Sequence, residues 1–321
     1  MAMETASRVY VAGHNGLAGS ALVRRLRREG YAKVLFVPRA ELDLTDAKAV
    51  RDFFERERPE YVFLAAALVG GIGANLSCPA DFIYQNLMIQ TSVFHAAYTC
   101  KVRRLLFFGS ACAYPLRAPQ PMKEDFVCSG SVEPSSEPFA VAKIAGMRMC
   151  GAYNQQHGTQ FISVIPASIY GPHDNFDLEG SHVLAALIRK AHVARETGGP
   201  MTVWGTGAPL REFIYVDDVV DACLHLMSLD EATFGSITKL SWPAVNVGTG
   251  QEVTVKELAW LVREVVGFSG GIEFDVRRAE GAPRKVLDSS RMASFGWAPR
   301  VPLADGIRRA YEWYVSSLRG Q

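Results

Sequence analysis

The chain has 321 residues, 49% of them hydrophobic and 21% charged, which at about 150 residues per domain leaves room for roughly two domains and a substantial core and argues against wholesale disorder. Lys plus Arg (34) nearly balance Asp plus Glu (33), and a formal net charge of +1 gives no electrostatic case for a nucleic-acid or anionic-membrane binder. No apolar run reaches the roughly 20 residues that span a bilayer, and residues 1–8 lack the basic-then-apolar layout of a signal peptide, so a soluble, cytoplasmic protein is expected. The six cysteines, Cys78, Cys100, Cys112, Cys128, Cys150 and Cys223, show no CxxC or Cys/His ligand spacing, so neither a metal site nor a disulfide framework is expected.

Residues 8–12 form a short β-branched run that passes directly into Gly13-x-x-Gly16-x-x-Gly19, after which residues 20–29 place Leu22, Val23 and Leu26 at helical spacing. Strand, glycine turn and helix in this order bring backbone amides to a helix N-terminus, where a pyrophosphate is stabilised, and predict a dinucleotide site. A second strand is expected over 33–38. Further strand-like runs at 61–66, 104–108 and 161–165 alternate with helical segments. That pattern predicts an α/β fold with a doubly wound parallel sheet covered by helices on both faces and a ligand site along the carboxyl edge of the strands.

From Gly171 onward Pro172, Asn175, Gly180, Gly198, Gly199, Pro200, Gly205 and Gly207 break the pattern around one expected helix at about 181–196, which reads as a second, smaller α/β domain that covers the substrate. A helix at about 216–229 and the strand 244–247 return to the main sheet, and 254–266 and 303–318 add two amphipathic helices. The expected division is residues 1–171 plus about 212–250 for the nucleotide-binding unit, and about 172–211 plus 251–321 for the substrate-binding unit. At the end of the second strand stands Arg39 rather than an acidic residue, which favours the 2′-phosphate of NADP over the bare ribose of NAD. Asp43 and Leu44 fall where adenine would lie.

With the glycine motif, the segments Gly70-Gly71-Ile72-x-Ala74-Asn75-x-x-x-Pro79-Ala-Asp-Phe82, Phe108-Gly-Ser-Ala-Cys112-Ala-Tyr-Pro115, Ala142-Lys-Ile-Ala-Gly146, Tyr170-Gly-Pro-His-Asp-Asn-Phe176, Ser181-His-Val183, Trp204-Gly-Thr-Gly207, Arg211-Glu-Phe213 and Pro283-Arg-Lys285 make a set that resembles the GDP-L-fucose synthases. These are extended short-chain dehydrogenase/reductases (SDR) with a Rossmann fold, and the likeness covers nearly the whole chain. The resemblance implies 3,5-epimerisation of GDP-4-keto-6-deoxy-D-mannose and reduction of its C4 ketone by NADPH, in a homodimer. It implies that Cys112 and His182 exchange protons at C3 and C5, which the neighbouring carbonyl acidifies. Reference pKa values of about 8.5 for a thiol and 6.5 for an imidazole suit groups that both give and take protons near neutrality. It implies that Ser110 hydrogen-bonds the C4 oxygen and that Lys143 binds the nicotinamide ribose.

By the same resemblance, the glycine turn holds the cofactor through Gly13, His14, Asn15, Gly16, Leu17, Ala18 and Gly19. Arg39, Asp43 and Leu44 follow, then Ala65 and Ala66, then Phe108, Gly109, Ser110 and Ala111, with Lys143, Pro166, Ala167, Ser168, Ile169 and His182. The GDP-sugar falls to Lys190, beside Arg189, and to Trp204, Arg211 and Lys285, cations for the diphosphate and an indole face for an apolar surface.

One departure touches the chemistry. The superfamily pair Tyr-x-x-x-Lys is here Phe139-Ala-Val-Ala-Lys143, and a phenyl ring cannot donate the proton that the C4 oxygen needs as hydride arrives. An acid–base group contributes about 10² to 10⁴ in rate, so reduction is expected to be impaired. Phe139 is either an introduced substitution or a natural change in a divergent paralogue. Other departures, Asn15 for Arg, Leu68 for Lys, Ala111 for Ser, Ala167-Ser168 for Thr-Asn and Glu280 for Asp, cluster near the expected pockets and favour the paralogue. Two rivals stay open: a catalytically silent binder of NADP or GDP-sugar, and an epimerase/reductase for another nucleotide sugar.

Overall fold

The structure is a computed structural model in which residues 3–178, 180–278 and 281–319 are described. Among them, six parallel strands form the main sheet: β1 (Arg8–Ala12), β2 (Lys33–Leu35), β3 (Tyr61–Leu64), β4 (Arg104–Phe108), β5 (Phe161–Pro166) and a late strand, Ala244–Val247. The late strand is β9, because β6 (Ser168–Tyr170), β7 (Met201–Trp204) and β8 (Leu210–Tyr215) precede it in the chain. The sheet order is β2-β1-β3-β4-β5-β9, so the chain reverses direction across the sheet between β1 and β3. Crevices at such switch points are where open α/β sheets bind ligands. Helices α1 (Leu17–Arg28), α2 (Ala47–Glu57), α3 (Ile72–Ser77), α4 (Pro79–Thr99) and α5 (Glu137–His157) connect these strands.

The strands are buried along both faces, as crossover helices require. Val62, Phe63, Leu105, Leu106 and Ile162 have no exposed surface, and each such side chain removed from water contributes about 1.5–3 kcal/mol. Helix α2 starts on Asp46, whose carboxylate accepts the amides of Lys48 and Ala49. Its Tyr10-facing residues Phe53 and Phe54 pack on β1 with ring centroids 4.8 and 5.7 Å from the Tyr10 ring.

A second apolar core forms around α6 (Val183–Thr197), which follows β6, and extends past α7 (Val216–Ser228) and α8 (Glu231–Thr238) to α9 (Val255–Val266). Strands β10 (Glu252–Thr254), β11 (Ile272–Asp275) and β12 (Arg284–Lys285), then α10 (Ser290–Ser294) and α11 (Leu303–Arg319), complete the described elements. Strand β8 is the hub of a four-stranded sheet with β6, β10 and β12, while among the described residues β7 pairs only with β11. The sequence reading expected a smaller α/β unit here but located only its helix near 181–196 and none of these strands. These strands run two to six residues and pair across more than 40 residues of chain, too short and too distant for periodicity to register.

Smaller differences have local causes. Strand β2 stops at Leu35 rather than Pro38, and α1 starts at Leu17 rather than residue 20, because the glycine turn itself feeds the first helical turn. Helix α6 begins at Val183 with His182 as its N-cap rather than at residue 181. No described helix is long and apolar enough to cross a membrane.

Candidate active site

Where β1 meets α1, the backbone leaves room only for glycine at positions 13 and 19. Gly13 has φ +89°, and a Cβ on it would lie 2.6 Å from the Ala66 nitrogen; a Cβ on Gly19 would fall on the Gly13 carbonyl. Gly16 donates to Gly13 O at 3.1 Å and precedes α1 with no side-chain cap, which leaves the leading amides of the helix to an anion. This cradle fits the pyrophosphate of a dinucleotide. Ala65 donates to Ala12 O at 3.0 Å and with Ala66 forms the facing wall after β3.

Beside the glycine turn, the His14 ring lies 4.9 Å from that of Phe36, over which the Arg27 guanidinium also sits at 4.9 Å. Arg39 stands four residues past the end of β2, in a turn, and not at the strand end that the sequence suggested. It is largely exposed and pairs with Asp43 at 3.7 Å. The Asp43 carboxylate accepts the amide and hydroxyl of Thr45 at 2.9 and 2.8 Å, bonds that pull its pKa below the usual carboxylate value. Leu44 packs against the larger core.

The centre of the site is the carboxyl end of β4. Gly109 donates to Val164 O at 2.8 Å, and a Cβ on it would meet Val164 O and the Met147 sulfur at 3.0 Å, so the strand end is held tightly against β5 and α5. Ser110 then caps a one-turn 3₁₀ helix, Ala111–Ala113. Its Oγ accepts the Cys112 amide at 3.1 Å, which leaves the hydroxyl proton free to be donated elsewhere. Cys112 is half-buried with a free thiol. From α5, the buried Lys143 Nζ donates to Phe108 O at 2.7 Å, 4.6 Å from the Phe107 ring centroid and 5.7 Å from that of Phe139. Burial brings its pKa down from 10.5 to about 7. Phe139 is 7% exposed and meets Phe82 edge to face at 6.3 Å, so it is packed core where the superfamily has a phenol. At the end of β5, Pro166 is followed by Ala167, which donates to Val247 O at 2.9 Å; Ser168 and Ile169 then leave the sheet as β6.

The remaining candidate residues belong to the smaller core and its strands. His182 caps α6; it reaches solvent yet is hemmed in by protein, and that desolvation lowers its pKa. The positive end of the helix acts in the same sense against an imidazolium. Lys190 Nζ stands 4.8 Å from the centre of the Trp204 indole. Arg211 on β8 and Lys285 on β12 are register partners across the two strands. The glycine turn and the Ser110–Cys112–Lys143 group are each compact, and the candidate sugar residues fall into two pairs, Lys190 with Trp204 and Arg211 with Lys285. Arg39 and Asp43, in contrast, engage each other.

Two residues here escaped the sequence reading. Arg278 lies over Trp204 at 4.9 Å, and it belongs to none of the motifs that the sequence marks. Asp174 is enclosed enough for burial to raise its carboxyl to about 7, although its own amide neighbour Asn175 donates to it at 2.8 Å. Its only sequence signal was membership in the Tyr170–Phe176 motif. Glu280 lies outside the described residues. Among those described, no group of three or more His, Cys, Asp or Glu residues could hold a metal ion.

Residues 9–237 match the model of the NAD dependent epimerase/dehydratase family. The chain is 49% identical over 316 residues to "GDP-L-fucose synthase 1" of Arabidopsis thaliana, covering 98% of this chain and 95% of that protein. It is 45% identical over 311 residues to the GDP-L-fucose synthase of Escherichia coli (strain K12), covering 97% of each. Among solved structures, a GDP-mannoheptose C4 reductase from Campylobacter jejuni with NADP bound superposes with a TM-score of 0.88 at 39% identity, over 98% of this chain and 99% of that one. The chain belongs to the NAD-dependent epimerase/dehydratase family and, within it, to the branch that contains the GDP-L-fucose synthases.

Proposed function

We propose that the chain is an NADP-dependent epimerase/reductase of the GDP-L-fucose synthase type. It inverts C3 and C5 of GDP-4-keto-6-deoxy-D-mannose and reduces C4 to give GDP-L-fucose. The observation that carries this is the turn after β4, where Ser110 and Cys112 share one cap two residues beyond the carbonyl that the buried Lys143 amine holds. A carbonyl oxygen received by the free Ser110 proton is polarised, the C3 and C5 hydrogens become acidic, and Cys112 and His182 remove and return protons on opposite faces. Lys190, Arg211 and Lys285 hold the diphosphate, with Trp204 against an apolar face.

NADPH, when bound in the cradle of Gly13, Gly16 and Gly19, supplies hydride to C4. Lys143 binds and orients its ribose, and the C4 oxygen takes its proton from Ser110 or water, because Phe139 offers none. Reduction is therefore slower than proton exchange. In the same proposal residues 1–171 and about 212–250 bind the cofactor, the remainder binds the sugar, and the enzyme works in the cytoplasm as a homodimer.

A second reading, reduction of a GDP-ketoheptose, is favoured by the likeness to the C. jejuni GDP-mannoheptose C4 reductase. The test is incubation with GDP-4-keto-6-deoxy-D-mannose in D₂O with and without NADPH. Deuterium at C3 and C5 with slow NADPH oxidation is expected. Neither signal with this sugar, but turnover of a GDP-4-ketoheptose, would establish the second reading instead.

A further inference from the structure

His182 and Cys112 belong to different layers of the molecule, and proton exchange on two faces of one sugar needs their separation fixed. The loop after β3 supplies the fixture. Gly71 donates to Gly180 O at 2.9 Å, and a Cβ on Gly71 would lie 2.6 Å from Ser181 O, so the two backbones meet at a spacing that only glycine permits. Behind this contact, Asn75 on α3, 4% exposed, donates from Nδ2 to both Gly70 O (2.9 Å) and Gly71 O (3.0 Å). The start of the same loop is held by buried Asn86 of α4, which accepts the Leu68 amide at 3.0 Å and donates to Leu68 O at 3.0 Å and Phe82 O at 2.7 Å.

Loop 68–71 is thus pinned from behind at both ends, and its tip grips the residues immediately before His182. Two buried atoms on either side of the grip, Asn75 Oδ1 and Ser181 Oγ, have no hydrogen-bond partner among the described residues. Side-chain pairing across the contact therefore does not hold it; the backbone approach and the Asn75 amide do. Immediately after, His182 O accepts the Ala186 amide at 3.0 Å and opens α6, so any shift of the grip moves the imidazole with the helix end.

We propose that Asn75 and Gly71 are positioning residues for His182, a clasp that sets the imidazole against the face of the sugar opposite Cys112. The inference rests on the epimerase activity proposed above. It is tested with Gly71→Ala and the milder Asn75→Ser, with Leu76→Ala, on the exposed side of α3, as control. The clasp predicts that C3 and C5 deuterium incorporation and kcat fall about 100-fold in both variants, the loss typical of a misplacement near 1 Å, while the sugar KM and the NADPH dissociation constant change less than threefold. Hydrogen exchange should show residues 180–186 losing protection together with 68–78 when Asn75 is replaced. Exchange rates and kcat within threefold of the parent in both variants would overturn the clasp, as would unchanged protection of 180–186. A parent protein that incorporates no deuterium would count against the activity, and the hydrogen-exchange result would then decide the clasp alone.

Discussion

At pH 7 the Lys143 amine stands near its titration midpoint, because burial withholds the water that an ammonium needs and no described carboxylate replaces it. A folded pKa of about 7 against 10.5 corresponds to a penalty on the order of 5 kcal/mol at and below neutrality. Between pH 7 and 10.5 the unfolded chain keeps a proton that the folded chain lacks, so the stability owed to this group rises with pH across that window. Lys143→Met should therefore raise the unfolding free energy by about 1–3 kcal/mol at pH 7 in urea titrations, net of the lost bond to Phe108 O, with the gain shrinking by pH 10. The same variant should bind NADPH at least tenfold more weakly. Phe139 presents the converse case, a stable packing residue where chemistry wants a donor. Phe139→Tyr should raise single-turnover NADPH oxidation by about 10² to 10⁴ and move deuterium exchange far less; an unchanged rate would mean that another group already protonates the C4 oxygen.

Glycine decides how α1 sits on β1. Gly19→Ala would drive a methyl into the Gly13 carbonyl, lifting the helix from the strand, so a loss of about 1–3 kcal/mol and a tenfold or greater rise in the NADPH dissociation constant are expected. At Gly16 a Cβ would lie 3.6 Å from the same carbonyl, an ordinary contact, and Gly16→Ala should leave the urea midpoint nearly unchanged. These glycines, the strands 104–108 and 244–247 and the return helix near 216 were legible in the sequence, because each is a continuous local signal. The turn that presents Cys112 was not, since three residues of 3₁₀ helix carry no periodicity, and the family motif alone marked the thiol. The three residues of β6 and the two of β12 were equally invisible, as was the contact of Gly71 with Gly180 across more than 100 residues of chain. Lys143 was flagged by its motif, but its burial and proton affinity belong to the fold.

The two cores are stitched by buried acidic and amide groups rather than separated by a linker. Glu212 on β8, 2% exposed, accepts the Thr249 and Gly250 amides through Oε1 at 2.5 and 2.7 Å and the Leu287 amide through Oε2 at 2.7 Å. It thereby joins the small sheet to the loop after β9 and to the segment that carries Leu287, Met292 and Trp297 back into the larger core. Glu212→Gln turns one acceptor into a donor facing another donor, and a cost of about 1–3 kcal/mol is expected, read as an earlier urea midpoint for the whole molecule and not for one half. The placement of β9 has a further consequence for biosynthesis. Strand β5 closes its free edge only on β9, whose first residue is made roughly 80 residues after the end of β5. At about 5–20 residues per second a nascent chain would present Phe161–Pro166 as an open edge for roughly 4–16 s. During those seconds this apolar strand is open to capture by a chaperone or by another chain.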